Sequence, residues 1–166
     1  MNRPIALIGF MAAGKTTIGR RLAKLLGCEF VDSDALIAAK HGPIARIFAT
    51  EGEPAFRRYE CAIVDDALVG DRVVALGGGA VTYGPTRALI AERAYRVFIE
   101  TSPHFTLERL RTARVSRPVA GAAPSLESLA AIYAERLPYY READLTVLGD
   151  GRASTDVARE LAERLA

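Results

Sequence analysis

Pro4-Ile5-Ala6-Leu7-Ile8-Gly9-Phe10-Met11-Ala12-Ala13-Gly14-Lys15-Thr16 joins a short apolar run to a turn of small residues that closes on Gly-Lys-Thr. The run from Pro4 to Ile8, ended by Gly9, has the composition of a strand buried on both faces of a parallel sheet. From Lys15 the apolar residues Ile18, Leu22 and Leu25 recur at i, i+4 and i+7, with Arg20, Arg21 and Lys24 between them and Gly27 beyond, which predicts a helix. Gly9 to Thr16 therefore satisfies GxxxxGK[ST] between a strand and a helix, the setting that a phosphate-binding loop requires. In such a loop the backbone around Ala12, Ala13, Gly14, Lys15, Thr16 and Thr17 converges on nucleotide phosphates. Lys15 reaches the β- and γ-phosphates as a point charge, and the Thr16 hydroxyl joins a Mg²⁺ shell.

Beyond this unit the same alternation continues. Strands are expected at Glu29–Asp32, Val73–Leu76, Tyr95–Glu100 and Leu145–Val147, with segments of helical period between them and a last one carrying Val157, Leu161 and Leu165. Strands alternating with helices predict an α/β fold with a parallel sheet covered on both faces. A chain of 166 residues, half of them apolar, can bury one core, so residues 1–166 are expected to form a single domain. From Thr112 to Ser125 no period survives among Arg, Pro, Gly and small residues, which makes this stretch a candidate mobile lid.

Bulk charge names no polymer partner. The net +2 comes from 22 basic and 20 acidic residues spread along the chain, which argues for neither a nucleic-acid nor a membrane partner. Cys28 and Cys61 have neither CxxC nor zinc-type spacing and fit a reducing compartment. With no signal-peptide pattern and no apolar run of spanning length, the expected location is the cytoplasm. No association helix is recognisable, and the expected state is a monomer.

A phosphate loop alone does not separate a kinase from a GTPase switch or a motor. The chain has no glutamine, so it lacks the residue that orients attacking water in Ras-type enzymes; its only asparagine is Asn2, which leaves no NKxD element for guanine. The reading moves to a kinase whose acceptor is a bound hydroxyl.

Three further clusters bear on that acceptor. Asp32-Ser33-Asp34 follows the second strand, where open α/β sheets bind ligands. If the segment is extended, both carboxylates face the same way, one for a water of the Mg²⁺ shell and one for the acceptor hydroxyl. The other reading is an N-cap supplied by Asp34 or Ser33 to a helix beginning near Ala35. Glu53 to Glu60, GEPAFRRYE counted from Gly52, opens a helix with Pro54 in its first turn and Gly70 beyond its end. Arg57 and Glu60 lie one turn apart there; spacing alone favours an exposed ion pair, and the sharper reading is that Glu60 orients Arg57 to grip a carboxylate. Gly77, Gly78 and Gly79 end the third strand, either as a tight turn or because something needs bare backbone.

Taken together, GFMAAGKTTIGRRLA, DSD, GEPAFRRYE, LGGGAV, Arg117-Pro118 and the run from Arg136 to Asp144 resemble the shikimate kinase family in content, order and spacing over nearly the whole chain. The resemblance implies a nucleoside-monophosphate-kinase-like P-loop fold, a five-stranded parallel sheet flanked by helices. It implies ATP-dependent phosphorylation of the 3-hydroxyl of shikimate, within aromatic amino-acid biosynthesis. Position by position, it implies Thr16 and, through water, Asp32 for Mg²⁺, and Asp34 as base at the accepting hydroxyl. It gives Arg57 and Arg136 to the shikimate carboxylate and Glu60 to orienting that site. Gly77 to Gly79 would offer backbone N–H to the substrate, Arg117 would swing over the transferring phosphate, and Arg152 would lie near adenine. The family often carries a glycine where this chain has Ala12 or Ala13. Rival readings are a kinase for gluconate or quinate and a non-catalytic ligand-sensing domain. His41 and His104 are read as capping or solvent residues, and Pro138 as a helix kink.

Overall fold

A computed structural model describes residues 3–112 and 124–165 of the chain. Five strands, β1 (Ile5–Ile8), β2 (Glu29–Asp32), β3 (Arg72–Ala75), β4 (Tyr95–Glu100) and β5 (Leu145–Leu148), form one sheet of order β2-β3-β1-β4-β5. Every pairing is parallel. The helices are α1 (Lys15–Leu26), α2 (Ser33–His41), α3 (Ile44–Thr50), α4 (Gly52–Ala67), α5 (Gly84–Arg93), α6 (Pro103–Thr112), α7 (Leu126–Tyr140) and α8 (Ser154–Leu165).

β1 lies at the centre of the sheet, with Ile5 in register with Val73 on one side and Tyr95 on the other. Its four residues are all buried because alternate side chains feed two different cores. Ala6 and Ile8 join Val74, Phe98, Val64, Ile90, Leu129 and Tyr140 on one face. Ile5 and Leu7 join Val73, Val97, Ile18, Leu22, Val157 and Leu161, which places α1 and α8 on the other. A third cluster of Ile37, Ile47, Phe56 and Ile63 ties α2, α3 and α4 together beside the sheet.

The expected strands are all present, β2 and β4 at the expected bounds and β3 shifted by one residue. Between β2 and β3 the chain makes three helices, with Gly42 (φ 90°) and Gly52 (φ 81°) at the junctions. α7 runs through Pro138 to Tyr140 as one helix; Pro138 sits in its last turn, where its missing N–H removes a single ladder bond. The expected lid, 112–125, begins on the last residue of α6 and ends on Ser125, the N-cap of α7. Residues 113–123 of it, Arg117 included, lie outside the described residues.

Candidate active site

The loop from β1 to α1 turns on glycine where nothing else fits. A Cβ on Gly9 (φ 147°) would lie 2.5 Å from the Ile99 carbonyl oxygen. Gly14 (φ 88°) is the N-cap of α1 and contributes no side chain between the loop and the helix start. Ala12 (φ 57°) is the one non-glycine residue with positive φ among the described residues. Lys15 Nζ donates to the Gly9 and Phe10 carbonyls, both at 2.8 Å, so the ammonium is held across the mouth of the loop. Arg109, from α6, donates through Nη1 to the Ala12 carbonyl at 2.7 Å, with its guanidinium 4.6 Å from the Phe105 ring centre. Sequence reasoning missed Arg109, since a basic residue in the last turn of a helix is ordinarily a dipole partner. Only the packing of α6 beside the loop gives it another use.

The Asp32 carboxylate serves two partners. Oδ2 accepts from the Thr16 hydroxyl at 2.7 Å, and Oδ1 accepts from Ala35 N at 3.1 Å, which caps α2. The cap expected from Asp34 or Ser33 is thus Asp32, because the strand ends there and the helix begins at Ser33. Asp34 accordingly stands in the first turn of α2 and not two residues along an extended segment. It reaches the same cavity as Asp32 by way of the helix. Ser33 is fully buried, and its Oγ accepts from Gly77 N at 3.2 Å.

Arg57 and Glu60 do not form the exposed pair that spacing favours. Arg57 is 6 % exposed and Glu60 0 %, with Nη1 donating to Glu60 Oε2 at 2.7 Å. Glu53 Oε1 accepts from Arg57 Nε at 3.2 Å and Nη2 at 2.9 Å. Burial pushes the Glu60 carboxyl up to about 6, with Arg57 pulling it down and Asp34 adding to the rise. Its Oε1 has no hydrogen-bond partner among the described residues.

Two of the three glycines, Gly77 and Gly79, answer to these side chains, whereas Gly78 lies against the backbone of Gly9 to Met11. A Cβ on Gly77 would lie 2.6 Å from Glu60 Oε1 and 2.9 Å from Asp34 Oδ1. One on Gly79 would lie 2.8 Å from Arg57 Cζ and 2.9 Å from Nη1, with Nη2 nearer still. Bare backbone is needed, and the groups that come close are the site's own carboxylates and guanidinium. The Gly77 N–H, expected to face substrate, is engaged by Ser33. On the far side, α7 brings Arg136, 6 % exposed, and Tyr140, whose hydroxyl donates to the Gly78 carbonyl. Burial pushes the Tyr140 phenol up to about 12 while Arg136 opposes the shift, so it remains a donor.

One cavity of about 740 Å³ is lined by the loop residues Ala12 to Thr17, by Asp32 and Asp34, by Arg57 and Glu60, by Gly77 to Gly79, and by Arg109, Arg136 and Arg152. Arg152 is steered there by Glu160, 2.7 Å from its Nη1. Every sequence-predicted site residue within the described residues is thus in one concavity. His104 is solvent-exposed as expected, while His41, half-buried, stacks on Tyr59 at 4.0 Å instead of serving as a cap or a solvent residue.

Comparison with known proteins follows the same lines. Residues 11–166 match the family described as shikimate kinase. A shikimate kinase of Nitrobacter winogradskyi is 44 % identical over 161 residues, spanning 96 % of this chain and 72 % of that protein. One from Halorhodospira halophila is 44 % identical over 164 residues, spanning 97 % and 92 %. The structure of shikimate kinase from Acinetobacter baumannii in complex with shikimate superposes with a TM-score of 0.91 at 36 % identity, covering 99 % of this chain and 93 % of that one. With the sheet order, the phosphate loop and the buried cations already in place, these likenesses make the chain a member of the shikimate kinase family.

Proposed function

We infer that this protein transfers the γ-phosphate of ATP to the 3-hydroxyl of shikimate, giving shikimate 3-phosphate and ADP for aromatic amino-acid biosynthesis. The observation that carries this reading is that the phosphate loop and two buried arginines, Arg57 and Arg136, line the same cavity with Asp34. The volume is ample for a small acid next to nucleotide phosphates, since small-molecule sites run to roughly 300–1,000 Å³.

In the reaction the acceptor oxygen forms a bond to the γ-phosphorus, the bond from that phosphorus to the β–γ bridging oxygen breaks, and the hydroxyl proton passes to the Asp34 carboxylate. The protein's share is positioning and charge. Arg57 and Arg136 hold the acid's carboxylate, and Glu60, itself buried, fixes the Arg57 guanidinium from behind. Lys15 leaves the Gly9 and Phe10 carbonyls for the β- and γ-phosphates, joined by N–H groups of Ala12 to Thr17. Arg117, whose Arg-Pro motif matches the family, adds positive charge at the transferring phosphate. Arg109 and Arg152 flank the nucleotide, Arg152 on the adenine side.

Mg²⁺ keeps several waters and takes one or two protein ligands, often carboxylate or hydroxyl. The Thr16 hydroxyl and the Asp32 carboxylate, 2.7 Å apart, suit it: Thr16 would offer an oxygen to the ion and Asp32 would accept from one of its waters. When bound, the ion neutralises phosphate charge. Among the described residues no helix is long and apolar enough to cross a membrane; we assign a monomer acting in the cytoplasm, with small-molecule partners alone.

The test is ADP formation from Mg·ATP with shikimate, quinate or gluconate. Turnover confined to shikimate is expected; turnover confined to another acid would keep the kinase and discard the substrate, and none with any acid would favour a ligand-sensing role. Because an ammonium cannot replace a planar fork, Arg57→Lys is expected to raise the KM for the acid far more than that for ATP.

A further inference from the structure

Arg57 is held by two glutamates of opposite character. Glu60 is fully buried and takes Nη1. The Glu53 side chain is 53 % exposed, lies one helical turn earlier on α4, and takes Nε and Nη2. The edge bearing Nε and Nη2 is one that a carboxylate can grip with two parallel N–H···O bonds. Glu53 meets it with one oxygen, Oε1, shared between both nitrogens at 3.2 and 2.9 Å. That is the weaker way to fill a bidentate edge.

We propose that Glu53 is an intramolecular stand-in for the acceptor's carboxylate, occupying the Arg57 fork until the acid displaces it. This rests on the reading that Arg57 receives that carboxylate. The arrangement follows from the cost of a buried guanidinium left partly unpaired. Glu53 completes the set of acceptors around Arg57. A carboxylate entering with two oxygens forms the stronger pair, and Glu53, being half in water, swings out at little cost. Glu60 cannot make way, because no solvent reaches it. Glu53 is thus a positioning residue that lowers apparent affinity for the acid and contributes nothing at the transferring phosphate.

The sign of the effect separates this role from an ordinary structural one. Removing a group that merely braces Arg57 would weaken acid binding, whereas removing a competitor strengthens it. For Glu53→Gln and Glu53→Ala, the KM for shikimate at saturating Mg·ATP is expected to fall about three- to fivefold, the scale of a partly exposed ion pair. The kcat and the KM for ATP should stay within about twofold of wild type. The methyl ester of the acid, which has no anionic carboxylate, should gain nothing from either substitution. An unchanged or raised KM for the acid in both variants would overturn the proposal, as would an equal gain for the ester. Wild-type protein that turns over no hydroxy acid would overturn the functional reading and this inference with it. Wild-type turnover with an unshifted KM in the variants would overturn this inference alone.

Discussion

Thr16, in the first turn of α1, and Asp32, at the end of β2, are joined by a 2.7 Å hydrogen bond, while the second oxygen of the same carboxylate caps α2. One side chain therefore supports both a candidate ion site and the start of the helix that carries Asp34. The two duties can be separated by substitution. Asn caps helices about as well as Asp, so Asp32→Asn should unfold within a few tenths of a kcal/mol of wild type, roughly the spread among good caps. Its Mg²⁺ requirement for half-maximal rate should rise about tenfold, as is common for lost partners of metal-bound groups. Asp32→Ala should show the same rise and lose about 1 kcal/mol as well. Urea unfolding and a Mg²⁺ titration of the initial rate read the two effects, and an unaltered Mg²⁺ requirement in both variants would refute the assignment.

Gly79 has no space for a methyl group, because its Cβ would fall within 2.9 Å of Arg57 Nη1 and 2.8 Å of Cζ. Gly79→Ala must therefore displace the guanidinium. The KM for the acid should rise by about tenfold or more, since a displacement of about 1 Å is enough for such losses, with a much smaller change for ATP. Gly84→Ala is the control, as nothing lies within 4 Å of its Cβ position. Equal responses in the two variants would count against the Arg57 role.

Glu60 makes stability depend on pH in an unusual direction. Burial raises its carboxyl from 4.5 to about 6, so the folded protein holds that proton more tightly than the unfolded chain does. The favourable contribution is fully present below the unfolded value and is withdrawn as pH rises through the folded one. From pH 4.5 to above 6 this amounts to about 2 kcal/mol. Denaturant unfolding of wild type and Glu60→Gln across that window should show wild type losing stability relative to the variant as pH increases. A flat or opposite difference would mean that Arg57 outweighs the burial.

Ala12 holds a left-handed conformation at φ 57°, which costs an L-residue about 1–2 kcal/mol. Ala12→Gly removes that strain but adds freedom to the unfolded chain, so a net gain of up to about 1 kcal/mol is expected. Differential scanning calorimetry would detect it as a higher Tm, and a lower Tm would show that the alanine methyl has contacts worth more than the strain.

The parts of the site legible in the sequence were those carried by local signals. The β1–α1 phosphate loop is contiguous, and its strand and helix announce themselves by period. Asp32 and Asp34 could be placed at the sheet edge because β2 ends on Asp32, but which carboxylate caps α2 depended on where the helix starts, a matter of one residue. For Arg57 and Glu60, spacing supplied adjacency and pointed the wrong way on burial, which is set by Gly79 and by α7 packing across the glycine loop. Arg109 gave no sequence signal, since it meets the phosphate loop only through the packing of α6, and Glu53 stood within a quoted motif whose spacing did not reveal its contact with Arg57. The span 113–123 contributes Arg117-Pro118, and the role proposed for Arg117 is carried by the resemblance of that pair to the family alone.

The strand order β2-β3-β1-β4-β5 sets the phosphate loop and the proposed acceptor residues on different parts of the fold. The phosphate loop hangs from the middle strand, which is paired with a neighbour on each side. Asp34, Arg57 and Glu60 instead belong to α2 and α4, which are held to each other by a small apolar cluster of their own at the sheet's edge. Redesign for a different hydroxy acid therefore has a natural boundary. Diversifying 33–60 should remodel the α2 and α4 part of the proposed acceptor's seat, with Gly77 to Gly79, Arg136 and the phosphate loop left as they are.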